Sequence, residues 1–253
     1  MSSDKNYKIA KTGNAYILYD ADIITEPTVQ LFNRDYHTKS QVQQSGKQLG
    51  EQSGGIGRAK VVYFSQGEKL FVLKHYYRGG VIASIIKDHY FGFRIVKSRA
   101  FREFRLLKKM HELGLSVPVA VAAQVEKGLL FYQADLITEE IKNAKTLSDV
   151  LSNNVLNDDN WQKIGRCIKQ FHQKNIYHAD LNARNILLTE DLKIYLIDFD
   201  NSYIRLGSSA WKMANLSRLK RSLLKFKNKT ANFYFTEDCW SSLLLGYNSF
   251  VEE

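Results

Sequence analysis

At 253 residues the chain is long enough to bury a sizeable core, as one domain or as two lobes. With only 2 prolines and 12% aromatic residues it is an ordered globular protein rather than a disordered one. Cys167 and Cys239 are too few and too far apart for a disulfide framework, and both are expected as reduced thiols of a cytosolic protein. Residues 1–14 are polar and lack an apolar core segment, so no signal peptide is expected. No apolar run approaches the roughly 18 residues that span a bilayer. The net charge of +10 implies either general solubility or a polyanionic partner: nucleic acid, an anionic membrane face or a phosphorylated substrate.

In chain order, 16–19 reads as a strand, and 33–54, rich in Gln, Ser and Lys, as a loop. Gly54-Gly55-Ile56-Gly57 then precedes a strand at 61–64, a turn at 66–68 and a strand at 70–77. Backbone N–H groups at Gly55 and Gly57 could approach a phosphate. Lys60 stands where a third glycine would complete the pattern, and taken alone these glycines are better explained by an ordinary turn. Lys74 shares a strand face with Leu70, Val72 and Tyr76, so it needs an anionic partner or an exit to solvent. A helix is expected over 99–113, with Ser98 as N-cap and Gly114 as the stop. Its apolar stripe, Ala100, Phe104, Leu107 and Met110, contains Glu103. A carboxylate there is costly unless paired, and pairing with Lys74 satisfies both misplaced charges. The alternative is an edge-strand lysine and a snorkelling glutamate. The stretch 79–98 reads as an insertion, mostly apolar and aromatic, that could contact an acceptor, a membrane or the core.

Strands are expected at 117–123 and 129–136, followed by helices beginning at 146 and spanning 160–174. Trp161, Ile164, Ile168 and Phe171 share one face of the latter, and Cys167 adjoins it as a core residue. His172 and His178 are too isolated for a metal site. Further on, 186–188 and 194–197 are short apolar runs around a polar turn, which is a hairpin. Asn185 enters its first strand and Asp198 leaves its second, so the two meet at the open end beside Asp180. Two hard oxygen donors, with phosphate completing the shell, suit Mg²⁺. Between 201 and 236 there is no Asp or Glu. Arg205, Lys212, Arg218, Lys220, Arg221, Lys225, Lys227 and Lys229 fall there, interleaved with Trp211, Leu216, Leu219, Leu223 and Leu224. This reads as a basic amphipathic helix compatible with a membrane surface.

His178-Ala179-Asp180-Leu181-Asn182-Ala183-Arg184-Asn185 together with Asp198-Phe199-Asp200 resembles the catalytic loop and metal motif of the protein-kinase-like superfamily. With Lys74-His75-Tyr76-Tyr77-Arg78-Gly79-Gly80, Arg102-Glu103-Phe104, Tyr132-Gln133-Ala134-Asp135 and 211–222, the chain more narrowly resembles the 3-deoxy-D-manno-octulosonic acid (Kdo) kinase family. The resemblance implies an α+β, bilobal protein-kinase-like fold. Residues 1–136 would form an antiparallel β-sheet lobe with a regulatory-type helix that binds nucleotide, and 137–253 a mostly helical lobe with the catalytic loop and acceptor side.

It implies an ATP-dependent carbohydrate kinase that phosphorylates the 4-hydroxyl of Kdo on a lipid A precursor, in lipopolysaccharide inner-core synthesis, with Mg²⁺. It also implies a peripheral protein on the anionic cytoplasmic face of the inner membrane. In that reading Asp180 accepts the hydroxyl proton, and Asn185 and Asp198 hold the metal. Lys74 neutralises phosphates and Glu103 fixes Lys74. Arg184 either stabilises the transferring phosphoryl or forms a salt bridge within the lobe. Gly55, Gly57 and Asp135 contribute to nucleotide binding, Asp135 opening the 135–145 lobe connection that holds adenine. A small-molecule kinase of the aminoglycoside type is the competing reading, and the basic stretch disfavours it. Ala179, Asp200 and the lack of an Ala-Pro-Glu motif argue against a phosphorylation-switched protein kinase. Base-reading motifs that would favour a nucleic-acid partner are absent, and nothing points to an obligate protein partner.

Overall fold

A computed structural model describes residues 7–37, 61–76, 95–127, 132–207 and 209–249. It divides into two compact units, 1–108 with 119–140, and 109–118 with 141–253. The Gly55 and Gly57 turn and most of the 79–98 stretch lie outside the described residues.

The first unit is built on an antiparallel six-stranded sheet. Its strands are β1 (Tyr7–Thr12), β2 (Ala15–Asp20), β3 (Val61–Gln66), β4 (Lys69–His75), β5 (Ala120–Lys127) and β6 (Tyr132–Glu139), in the order β1-β2-β5-β6-β4-β3. Two-residue turns close the outer hairpins. Gly13 at φ 58° and Gly67 at φ 60° take the left-handed conformation that such turns need and that side chains resist. Strand β1 was not expected from its sequence. It is half exposed, with an alternation too weak to register. Strands β5 and β6 each lie about three residues further along than their apolar runs suggest, so the sheet extends to Glu139. The polar ends of these strands are carried by ladder hydrogen bonds rather than by hydrophobicity.

One face of this sheet buries Ile17, Val62, Phe64, Phe71, Leu73, Val121 and Ile137 beneath a short 3₁₀ turn, Val29–Phe32. Helix α1 (Arg99–Glu112) starts where Ser98 Oγ accepts the Phe101 N–H at 3.3 Å. It stops at Gly114, whose φ of 71° allows the Leu115 N–H to reach back to the Met110 carbonyl. Ala100, Phe104, Leu107 and Met110 are buried, as the stripe requires. Lys108 Nζ meets the buried Asp20 carboxylate at 2.5 Å and ties the helix to β2.

The second unit is mostly helical. It contains α2 (Leu147–Asn153), α3 (Asp158–Gln173), α4 (Ala210–Lys227) and α5 (Glu237–Ser249). Side chains of Thr146 and Asn157 cap α2 and α3 by accepting the Asp149 and Asn160 N–H groups. The strands are β7 (Ala144–Thr146), β8 (Ile176–Tyr177), β9 (Ile186–Thr189), β10 (Ile194–Leu196) and β11 (Tyr203–Ile204), forming sheets β10-β9-β7 and β11-β8. Trp161, Ile164, Ile168 and Phe171 point into the core from α3. Helices α3 and α5 cross with backbones almost touching. A Cβ on Gly165 would lie 2.0 Å from the Leu243 carbonyl oxygen, and one on Gly246 2.2 Å from that of Gln162. Burial pushes the Cys167 thiol up to about 12, so it is an inert core group.

The expectation for 201–236 needs a correction. Helix α4 forms, but Trp211, Leu216, Leu219 and Leu223 are buried. Most of the apolar face is consumed by the unit's own core, and of its residues Leu224 remains exposed. The exposed apolar side chains nearby are Tyr203, Ile204, Leu206 and Met213.

Candidate active site

In the first unit, Lys74 and Glu103 meet as anticipated. Lys74 Nζ lies 3.1 and 2.9 Å from the two carboxylate oxygens of Glu103. Strand alternation turns Lys74 toward α1, and the helix delivers Glu103 from within its buried stripe, where it is 4% exposed. Tyr76 completes the cluster. Its hydroxyl donates to Glu103 Oε2 at 2.5 Å, and its ring lies 4.7 Å from Lys74 Nζ. The sequence carried a signal for Tyr76, since it shares the strand face of Lys74. The phenol, however, reads there only as an apolar residue. The carboxylate thus holds the ammonium at a fixed point on the sheet, where it can counter an anionic group.

Asp135 is placed differently. His75 and Asp135 face each other across β4 and β6, on the opposite side of the sheet from Lys74. Its carboxylate is joined to His75 Nδ1 at 2.7 Å. Alternation along the strands keeps the side chain away from Lys74, and the expectation that Asp135 opens the connection is corrected: it lies inside β6, which runs to Glu139.

In the second unit, the loop 178–185 lies between β8 and β9. Its polar side chains are organised around the backbone. His178 Nε2 donates to the Ile197 carbonyl at 3.0 Å, and its Nδ1 accepts the Asp180 N–H at 3.2 Å. These two bonds fix one neutral tautomer. The ring lies 4.7 Å from that of Phe199, which stacks on Phe171. His178 is thus a structural residue beneath the turn at Asp198. His172 is also structural. Its Nδ1 pairs with the Tyr247 hydroxyl at 2.8 Å, and burial lowers its pKa to about 4.

The hairpin β9–β10 closes as the spacing demands. Leu196 pairs with Ile186, and the Ile197 N–H donates to the Asn185 carbonyl at 3.0 Å. Asn185 Nδ2 donates to the Asp180 carbonyl at 2.9 Å, which orients the amide so that Oδ1 is its acceptor end. Asp198 takes a left-handed φ of 62°, uncommon for a residue with a side chain, at the point where the chain leaves the hairpin. An amide oxygen and a carboxylate on adjoining backbone positions are hard donors that fit Mg²⁺. Among the described residues, no group of three or more His, Cys, Asp or Glu side chains is placed to hold a metal.

Helix α4 contributes what sequence reasoning missed. Asn215 Oδ1 accepts the His178 N–H at 3.3 Å, and its Nδ2 donates to the His178 carbonyl at 3.0 Å. Ser222 Oγ accepts the Ala183 N–H at 3.2 Å. Arg218 Nη1 donates to Asp180 Oδ1 at 3.0 Å. Asn182 Nδ2 donates to Asp180 Oδ2 at 3.1 Å. The Arg184 guanidinium lies 5.1 Å from the Phe226 ring. The positions 215, 218, 222 and 226 recur at helical spacing on one face. The basic helix is a brace for the loop.

An antiparallel sheet bearing a helix-paired lysine, and a helical unit bearing a polar loop that feeds a hairpin, make this a kinase-like fold. A model of the lipopolysaccharide kinase (Kdo/WaaP) family matches residues 40–247. Proteins named 3-deoxy-D-manno-octulosonic acid kinase are similar over most of their length. That of Haemophilus influenzae strain PittEE is 38% identical over 93% of this chain and 97% of its own. That of Vibrio vulnificus is 38% identical over 94% and 96%. That of Mannheimia succiniciproducens is 42% identical over 77% and 85%. The chain belongs to the lipopolysaccharide kinase (Kdo/WaaP) family, and it is an ATP-dependent kinase.

Proposed function

We propose that this kinase transfers the terminal phosphoryl group of ATP to the 4-hydroxyl of Kdo on a lipid A precursor, in lipopolysaccharide inner-core synthesis. The observation that carries this reading is the match to Kdo kinases over more than nine-tenths of the chain. The polar loop supplies the chemistry. A sugar hydroxyl is a poor nucleophile at neutral pH and needs a positioned carboxylate. Asp180 has that role: it orients the hydroxyl and takes its proton as the new O–P bond forms and ADP leaves. Asn185 and Asp198 are the Mg²⁺ ligands of this reading, and the ion supplies charge neutralisation on the phosphates. Lys74 counters phosphate charge, with Glu103 and Tyr76 fixing it. Gly55 and Gly57 approach the phosphates in this reading, the connection that follows β6 and Asp135 holds adenine, and Arg184 stabilises charge near the transferring phosphoryl. Residues 1–136 then serve the nucleotide and 137–253 the acceptor.

The test is to offer the purified protein ATP, Mg²⁺ and the Kdo-bearing lipid. Phosphorylated lipid is expected, and phosphorylation of an aminoglycoside in its place would overturn the reading.

The same reading makes the protein peripheral on the cytoplasmic, anionic face of the inner membrane. No helix among the described residues is long and apolar enough to cross a membrane. The exposed Tyr203, Ile204, Leu206 and Met213 lie in the acid-free stretch with exposed Arg221, Lys225 and Lys227. Such a mixture suits shallow contact with anionic lipid. Liposomes rich in anionic lipid should sediment the protein, and neutralising Arg221, Lys225 and Lys227 together should release it. Binding that ignores these changes would reject the contact.

A further inference from the structure

Arg218 is the cation closest to the chemistry proposed for this unit, and the established similarities assign it nothing. It projects from the middle of α4 and places Nη1 3.0 Å from Asp180 Oδ1. The other carboxylate oxygen, Oδ2, accepts from Asn182 Nδ2 at 3.1 Å. Each oxygen of Asp180 thus carries one hydrogen bond and keeps a second lone pair, so a hydroxyl can be received beside both contacts. The Arg218 contact is the weaker of the two. The two side chains of that pair are 46% and 58% exposed, so solvent screens it. Asn182, by contrast, also donates to the Asp180 carbonyl at 2.9 Å and accepts the Arg184 N–H at 2.8 Å, so it belongs to the loop's own turn.

The helix that carries the guanidinium is nonetheless held in place. Asn215 and Ser222, one turn to either side on α4, clamp the backbone of His178 and Ala183. The helix axis is thereby pinned to the loop, and Arg218 cannot drift far from Asp180. A planar fork of five donors so positioned is suited to a second carboxylate, which it can take by two parallel hydrogen bonds.

We infer that Arg218 binds the carboxylate of the acceptor and so selects a sugar acid over a neutral sugar. The inference rests on the reading of Asp180 as the group that receives the acceptor hydroxyl. The acceptor's dimensions agree with it. In a 2-ulosonic acid the carboxyl carbon is three bonds from C4, which puts the 4-hydroxyl about 5 Å from the carboxylate. One hydrogen bond from Asp180 to the hydroxyl and one from Asp180 to Arg218 span a similar distance. Arg218 keeps Nη1 on Asp180 and offers its remaining N–H donors to the incoming carboxylate, while the hydroxyl takes an open lone pair of Asp180. The correct acid is thus held at both ends, whereas a neutral sugar is held at one.

The experiment compares the lipid-linked Kdo acid with its C1 carboxamide, using wild type, Arg218→Gln and Arg218→Lys. Wild type should prefer the acid by roughly 10- to 100-fold in kcat/KM, the value of a charge-assisted pair. Arg218→Gln should reduce the acid to the level of the carboxamide, with the KM for ATP unchanged. Arg218→Lys should retain part of the preference. In the absence of ATP, calorimetric titration with free Kdo should show binding to wild type weakened in Arg218→Gln. A wild type indifferent to the carboxamide, or an Arg218→Gln variant that loses both acceptors in equal proportion, would overturn the assignment. A wild type that phosphorylates neither acceptor would instead sink the proposed function on which it stands.

Discussion

Asp180 combines an exposed carboxylate with a backbone fixed on both sides. Its N–H is held by His178 and its carbonyl by Asn182 and Asn185. Such a group can be altered without disturbing the fold, because the substitution removes only the surface carboxylate. Asp180→Ala should lower phosphoryl transfer by about 1,000-fold, the usual worth of a positioned general base, while ATP binding and thermal unfolding stay near wild type. Full activity in the variant would show that another group takes the proton. At this scale the sequence was most informative where chemistry and burial conflict. A lysine on an apolar strand face and a glutamate in an apolar helical stripe each signal a missing partner, and they are each other's partner. It was least informative where a residue's second function is invisible in its type. Tyr76 reads as an aromatic core residue until its hydroxyl is seen on Glu103, and Asp135 reads as a linker carboxylate until strand pairing aims it at His75.

Among the elements, α4 shows how one pattern can support two readings. Hydrophobic and basic residues alternating at helical spacing describe a membrane-surface helix and a buried brace equally well. Periodicity reports that a face is apolar, not what covers it. Its three polar braces, Asn215, Arg218 and Ser222, are separated from their partners by about 40 residues of chain, so no local rule brings them together. The α3–α5 crossing has the same character. Glycine within a helix normally weakens it, and two of them here are explained only by the approach of another backbone. Gly165→Ala should therefore cost about 3 kcal/mol of unfolding free energy, since a methyl group driven against main chain cannot be relieved by a rotamer change. Chemical denaturation measures this directly. A variant as stable as wild type, or stabilised as an exposed helical Gly→Ala would be, would mean the helices are not in contact at that point.

The whole molecule was legible as a kinase-like chain because that fold concentrates its requirements in short segments. A hairpin of two short strands, a loop with a five-residue offset and an isolated charge pair are local patterns with few alternatives. The strand order β1-β2-β5-β6-β4-β3 was not legible, since it depends on pairings between segments more than 100 residues apart, as Ala15 with Glu126, whose side chains only need to be apolar. The acceptor is equally beyond local pattern. It is carried by similarity along the chain to kinases named for the sugar acid. The most direct measurement is the mass spectrum, with fragmentation, of Kdo-bearing lipid A precursor after incubation with the purified protein, ATP and Mg²⁺. The gain of one phosphate is expected, located on the sugar acid at its 4-hydroxyl. Unchanged lipid in the presence of active, ATP-consuming protein, or a phosphate placed on the lipid A portion, would contradict it.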